Sequence, residues 1–311
     1  MQPSFRSLAG RSARLVTAAA LFAAIAAVGL RLDHYRSWGP QQPFAVALEE
    51  VALDRAAPRG WRLAGAWRLD HRYLRLSGMS GLAFAGDRLA AVTDHGQIVL
   101  FAPPEAGQAR LLVEPLPLPA REGLDAEALV VDPDGAGGQV AYERRERIEH
   151  FVDDFRAIVA HWPVPGAGRG NRGIEAMTRL DGRLVALAET GEGFIETQRR
   201  LAPIAVEGLV AMPTGAATRG TGELLVLQRG VGLAGFRTWV ASGRIEDGVI
   251  RLDPAVLLGL SRRDNAEGIA LRARADGGAE IWIVTDDNRG PPQRTLLVRY
   301  EMDPEGWPIR R

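Results

Sequence analysis

An all-β fold built from repeats is predicted by three features of this 311-residue sequence: a motif recurring at a nearly constant interval, short apolar strands joined by Gly- and Asp-rich turns, and no long stretch of helical periodicity. The motif is a small polar or acidic residue beside glycine, an alternating strand, a tight turn, a second apolar strand and a polar exit. Its fullest copy runs from Asp264 to Asn288. Earlier copies begin at Gly78–Leu82, Gly123–Ala128 and Gly173–Met177, and leave through Thr93-Asp94, Tyr142-Glu143-Arg144 and Ala188-Glu189. Anchored on Ser80, Glu127, Glu175 and Glu267, the separations are 47, 48 and 92 residues, the last being two units of 46. Repeats of about 40–50 residues, each holding about four short strands, are the sign of a β-propeller. Dividing residues 44–311 by this period gives between five and six units, and six blades of four-stranded antiparallel sheets are expected, with the first and last strands sharing a blade to close the ring.

The amino terminus, residues 1–31, reads as a targeting segment. Arg6, Arg11 and Arg14 precede an uncharged run of 16 residues, Leu15 to Leu30, that ends at Arg31. A spanning helix needs about 20 apolar residues, so the run fits the hydrophobic region of an export signal, with Ala24-Ile25-Ala26 as a small-x-small cleavage site. An uncleaved anchor in the inner membrane is the second reading. Both place the folded part outside the cytoplasm, in the periplasm, with membrane contact only through this segment if it is retained. Residues 32–43, broken by Gly39-Pro40 and Pro43, form a linker, and residues 44–311 form the propeller domain.

Within that domain, Phe44–Leu53 and Trp61–Leu69 read as strands. Hairpins follow around Gly86-Asp87, Asp132–Gly135, Asp181-Gly182 and Ala275–Gly278, where Gly and Asp supply the positive φ of tight turns. The copy due near residue 221 is met by Glu223–Arg229, a strand with a polar exit but no acidic start. Further strands are expected at Ile98–Phe101, Arg147–Phe151, Thr238–Ala241 and Thr295–Tyr300, and one short helix at Pro254–Leu260.

Composition removes several chemistries. Net charge is zero, so no nucleic-acid partner is expected. All 38 basic residues are arginine, which excludes a Walker A loop and a Schiff-base lysine; the absence of cysteine excludes thiol nucleophiles and thiolate-bound zinc. Gly78-Met79-Ser80-Gly81-Leu82 lacks the final glycine of a nucleophile elbow and precedes a strand. Neither a His-Glu-x-x-His motif nor an EF-hand loop occurs, and no nucleotide or organic cofactor is expected.

Equivalent positions of successive blades lie on one ring around the channel, so a repeated acid becomes a ring of carboxylates at one mouth. Glu127, Glu175 and Glu267, with Glu143 and His95, are the candidate catalytic groups. Asp94, Glu189, Asp286, Asp287 and Asn288 are candidate ligands of a hard cation such as calcium. Converging acids equally serve acid–base work through shifted pKa values, and each acid also reads as the cap of its own turn. Arg144, Arg172, Arg229 and Arg289 are candidates to grip an anionic ester, or to form surface ion pairs.

Taken in order, Ser77–Leu82, Glu127 with Glu143-Arg144, Asn171–Met177, Asn265–Ala270, Asp286–Asn288 and Gln293–Leu297 resemble the phytase-like domain family, known as "esterase-like activity of phytase". The resemblance covers roughly Trp61 to Met302 and implies a β-propeller that hydrolyses phosphate or carboxylic esters. Gln228-Arg229 stands where the family tends to have Glu-Arg, which puts a full acidic ring in doubt at that blade. Calcium-dependent propeller phytases are a more distant analogy. The functional expectation is an exported ester hydrolase, calcium-assisted, acting on a small-molecule ester or anionic ligand. The competing expectation is a non-enzymatic periplasmic propeller that binds a ligand or an envelope protein. Sequence leaves the oligomeric state open.

Overall fold

The structure, a computed structural model, describes residues 17, 19–21, 38–53, 57–118, 125–143, 147–165, 173–198, 200–220 and 222–307. The expected targeting segment and most of the expected linker lie outside the described residues, apart from those few positions.

Strands β1 (Phe44–Glu50) and β2 (Trp61–Asp70) come first. Blade 1 is β3 (Met79–Ala85), β4 (Arg88–Thr93), β5 (Gln97–Phe101) and β6 (Arg110–Pro117). Blade 2 is β7 (Ala126–Val131), β8 (Gly138–Tyr142), β9 (Arg147–Val152) and β10 (Ala157–Pro163). Blade 3 is β11 (Ile174–Leu180), β12 (Arg183–Ala188), β13 (Gly193–Thr197) and β14 (Arg200–Glu207). Blade 4 is β15 (Met212–Arg219), β16 (Glu223–Gly232), β17 (Gly235–Glu246) and β18 (Val249–Leu252), with β19 (Val256–Leu257) added along β17. Blade 5 is β20 (Asn265–Ala273), β21 (Ala279–Asp286) and β22 (Leu296–Met302), completed by β2, whose Trp61 lies opposite Met302. β1 bridges β2 to β6, and a parallel pairing of β14 with β18 joins blades 3 and 4.

The innermost strands β3, β7, β11, β15 and β20 touch one another in a closed cycle. Among the described residues there are therefore five blades, which corrects the expected six. Division by the period failed for two physical reasons. β1 and β2 add no blade of their own, because β2 completes blade 5 and β1 joins it to blade 1. Glu223–Arg229 is the second strand of its blade, and the first, Met212–Arg219, carries none of the acidic signature. The expected helix at Pro254–Leu260 is instead a connection containing β19.

Stacked blades bury the second strand of each sheet on both faces, so these strands read as continuous apolar runs. Leu89–Val92, Leu184–Ala188, Leu224–Leu227 and Ile281–Val284 are buried throughout. At the closure, Trp67 of β2 stacks on Trp282 of β21 with ring centroids 5.6 Å apart, and both rings are buried. Large aromatic pairs of this kind add about 0.5–1.5 kcal/mol beyond their area burial.

Candidate functional site

Each innermost strand slips register by one residue at the same end of the ring. The extra residues are Gly81, Glu127, Glu175, Thr214 and Glu267. A β-bulge re-aims its extra side chain, and here three glutamates turn toward the propeller axis. The second strand of each blade returns to the same level at Thr93-Asp94, Glu143, Glu189, Arg229 and Asp286. Close strand approach closes the cup below: a Cβ on Gly81 would lie 2.8 Å from the Leu129 amide, and one on Gly268 would lie 2.8 Å from the Leu82 amide. Gly78 is required for a different reason. Its φ of +67° is left-handed, and a Cβ there would fall within the Asp94 carboxylate.

The resulting cavity, about 210 Å³, is lined by Asp94, Asp125, Glu127, Glu143, Glu175, Glu189, Glu267 and Asp286, together with Ser80, Asn288 and Arg229. Among the described residues, blade 4 is the one blade that contributes a cation there instead of an acid. Arg229 Nη1 donates to Asn265 Oδ1 at 2.7 Å and to Glu267 Oε1, while Asn265 Nδ2 donates to the same Glu267 oxygen at 2.7 Å. Across the cup, ligand-capable oxygens of Asp94, Asp125 and Glu127 all lie within 4.8 Å of one another.

Among the described lining residues one guanidinium faces eight carboxylates, and four of the acids hold their protons accordingly. Burial, then the charges of Asp286 and Asp125, push Asp94 up to about 8, against the opposing pull of Arg289. Glu127 is driven well above the carboxylate range by burial and by Glu175 and Asp94. Glu175 rises to about 7 through burial and Glu189, partly offset by Arg229. Asp286 rises to about 7 through burial and Asp287, opposed by amide donors at Asn288 and Gly78. A clustered set of oxygen donors with suppressed ionisation can do two things: bind a hard cation, or exchange protons near neutrality.

The structure thus brings together Asp94, Glu127, Glu143, Glu175, Glu189, Arg229, Glu267, Asp286 and Asn288 of the residues expected from sequence. Others fall elsewhere. Asp287 is turned away from the cup: it accepts the Ser77 hydroxyl at 2.9 Å and lies 3.7 Å from His71 Nε2. His95 does not line the cavity; it packs edge-on against Trp38 at 5.5 Å, and burial followed by Arg289 lowers its pKa. Arg289 is on the exposed rim, 3.7 Å from Asp94. Ser80 lines the cup, but its hydroxyl donates to the Ala126 carbonyl at 2.5 Å, tying blade 1 to blade 2. Arg144 and Arg172 lie outside the described residues. Sequence reasoning missed Asp125 and Asn265. Both sit two residues before a bulged glutamate, so Asp125-x-Glu127 and Asn265-x-Glu267 form a repeated signal.

The family profile described as "Phytase-like: Esterase-like activity of phytase" matches residues 74–289. No curated protein matches the chain. Among solved structures, the chain is similar to Myxococcus xanthus glutaminyl cyclase, at 13% identity and a TM-score of 0.50, over 80% of this chain and 99% of that one. It is also similar to the WD40 β-propeller domain of Doa1, at 10% identity and a TM-score of 0.41, over 80% and 99% of the two chains. A likeness to Kuenenia stuttgartiensis hydrazine synthase, at 11% identity and a TM-score of 0.44, covers 72% of this chain and spans 63% of that one. At such identities the cyclase likeness concerns the fold alone.

Proposed function

This chain belongs to the phytase-like family, and from that premise we propose that it is an exported hydrolase of phosphate or carboxylic esters whose acidic mouth works with bound calcium. The observation that carries the reading is the cup itself: among the described residues, eight carboxylates and one arginine around about 210 Å³, three of the acids with oxygens within 4.8 Å of one another. An anionic ester has no place among such acids without a counter-charge. The donor set fits calcium, since it offers carboxylate oxygens alone, from side chains on strand ends and loops. Asp94, Asp125 and Glu127 would hold the ion, with Asp286 and Asn288 at the border of the set. Bound there, calcium would supply positive charge to an anionic ester and would offset the repulsion among these acids.

The chain's own groups divide the remaining work. Arg229 commits Nη1 to Glu267 and Asn265, leaving the rest of its guanidinium to face an anion from blade 4. Glu175, pushed up to about 7 by burial and Glu189 in the metal-free cup, is the group suited to take a proton from water and return one to the leaving oxygen. Glu143, Glu189 and Glu267 shape the field around it. Export, or anchoring to the inner membrane, belongs to the same reading through the amino-terminal segment.

Turnover of aryl phosphate and aryl ester substrates by the purified chain, in chelator and with added calcium, tests the reading. Calcium-dependent turnover that Glu175→Gln and Glu127→Gln abolish is the expected result. The mutual bonding of Arg229, Glu267 and Asn265 also suits a preformed ligand cup, so a non-enzymatic binding propeller is the second reading. Calcium binding without turnover of either substrate would favour it.

A further inference from the structure

The mouth face carries exposed apolar side chains that the acidic cup does not use. β16 and β17 continue past Arg229 as a hairpin whose last pair is Gly232 opposite Gly235. At its tip Leu233 is fully exposed, at 113%, and Val231 is 64% exposed. Leu233 stands four residues beyond Arg229, roughly 13 Å along the strand at about 3.3 Å per residue. Val210, 59% exposed, lies on the same face in the connection from β14 to β15. Arg237 and Arg263 are exposed beside the hairpin base, where the Phe236 amide donates to the Arg262 carbonyl at 2.9 Å. An apolar tip with guanidinium groups set below it suits the lipid interface, with the tip at the acyl boundary and the arginines at the phosphates.

A second observation concerns where the amino-terminal chain joins. Trp38 is 58% exposed, and its carbonyl accepts the Arg75 amide at 3.1 Å, just before blade 1 begins at the mouth. From there β1 runs away from the mouth, with Phe44 opposite Val113 and Ala47 opposite Arg110. The amino-terminal segment therefore joins the propeller on its mouth face. Only seven residues separate the apolar run ending at Leu30 from Trp38, and fully extended they reach about 28 Å. So short a connection on this face draws the mouth toward any bilayer that holds the run.

We infer that the propeller docks mouth-down on an anionic lipid surface, with Leu233 and Val231 entering the interface across the cup from the Trp38 tether. The inference rests on the anchor reading of the amino-terminal segment and is independent of the hydrolase reading. Because the chain has no cysteine, single-site labelling tests it cleanly. The full chain carrying Leu233→Cys, or Asp87→Cys on the fully exposed turn of the opposite face, is labelled with an environment-sensitive dye. It is then added to vesicles of phosphatidylcholine with phosphatidylglycerol. The dye at 233 should shift to the blue and be quenched by spin-labelled lipid, more so than with phosphatidylcholine alone, while the dye at 87 does neither. Adding Val231→Asp should weaken the signal at 233 without releasing the chain from the vesicles. Co-flotation with equal quenching at both sites would overturn the docking and leave the anchor standing. Failure to float overturns both. Ester turnover in solution is untouched by either result.

Discussion

Removing one acid from the cup should stabilise the metal-free protein, and Asp94→Asn is the sharpest case. An isolated aspartate titrates at 3.8, whereas in the folded chain Asp94 holds its proton up to about 8. A raised carboxyl pKa means that the folded state gains from the protonated form. That gain is complete below about pH 4 and is lost as pH rises through about 8. At about 1.4 kcal/mol per pH unit, the full swing is at most about 6 kcal/mol. Part of the shift comes from repulsion by the Asp286 and Asp125 charges, which solvent and neighbouring side chains can relax. About 3 kcal/mol should therefore be recovered at pH 9 by one neutral substitution, or roughly 6–12 °C in Tm for a domain of this size. Differential scanning calorimetry in chelator at pH 5, 7 and 9 reads this directly. The parent protein should lose Tm steadily over the range, the variant should lose less, and calcium should restore the parent more than the variant. A parent Tm that is flat from pH 5 to 9, or a variant that melts lower at pH 9, would refute the electrostatic reasoning.

Other perturbations have equally definite outcomes. Arg229→Gln withdraws the one cation among the described lining residues and should cost about 3–5 kcal/mol at pH 8. The cost should shrink at pH 5, where Glu175 is protonated; urea melts at the two pH values compare them. Gly78→Ala forces a Cβ into the Asp94 carboxylate at a left-handed φ and should cost about 2–3 kcal/mol, with calcium affinity by calorimetric titration falling about tenfold or more. Asp264→Asn removes a fully buried carboxylate from its pair with the partly buried Arg294, whose Nε lies 2.8 Å from Asp264 Oδ1. It should cost about 3–5 kcal/mol in urea melts while leaving calcium binding by the remaining folded protein unchanged.

The repeat and its acids were legible in the sequence because both have local causes. A short apolar strand, a Gly-Asp turn and a second apolar strand write themselves into neighbouring residues, so four of the five inner hairpins show plainly. The bulge that aims each glutamate is fixed by the register of two strands and leaves no mark of its own. That is why the sequence period points to Ser80 in the first blade when the bulged residue there is Gly81. Blade 4 was hidden because Thr214 and Arg229 replace the acids that identify its neighbours, and because Thr214 lies 39 residues after Glu175 and 53 before Glu267. Asp286 and Asp287 are adjacent in sequence, yet alternate sides of the chain send one into the cup and the other to Ser77. Only packing separates such neighbours.

The borrowing of β2 by the last blade also sets an order of events. Trp61 must meet Met302, and Trp67 must meet Trp282, across almost the whole length of the chain. For a polypeptide made or moved amino end first, the first large strand to emerge is the last to find its partner. Inner blades can assemble hairpin by hairpin, but the circle stays unlatched until the final strand is delivered, and contacts of such long range slow the last step. Until then β2 is an exposed, tryptophan-bearing strand with a free edge, and it marks where a chaperone, or a second unfinished copy exchanging strands, would take hold.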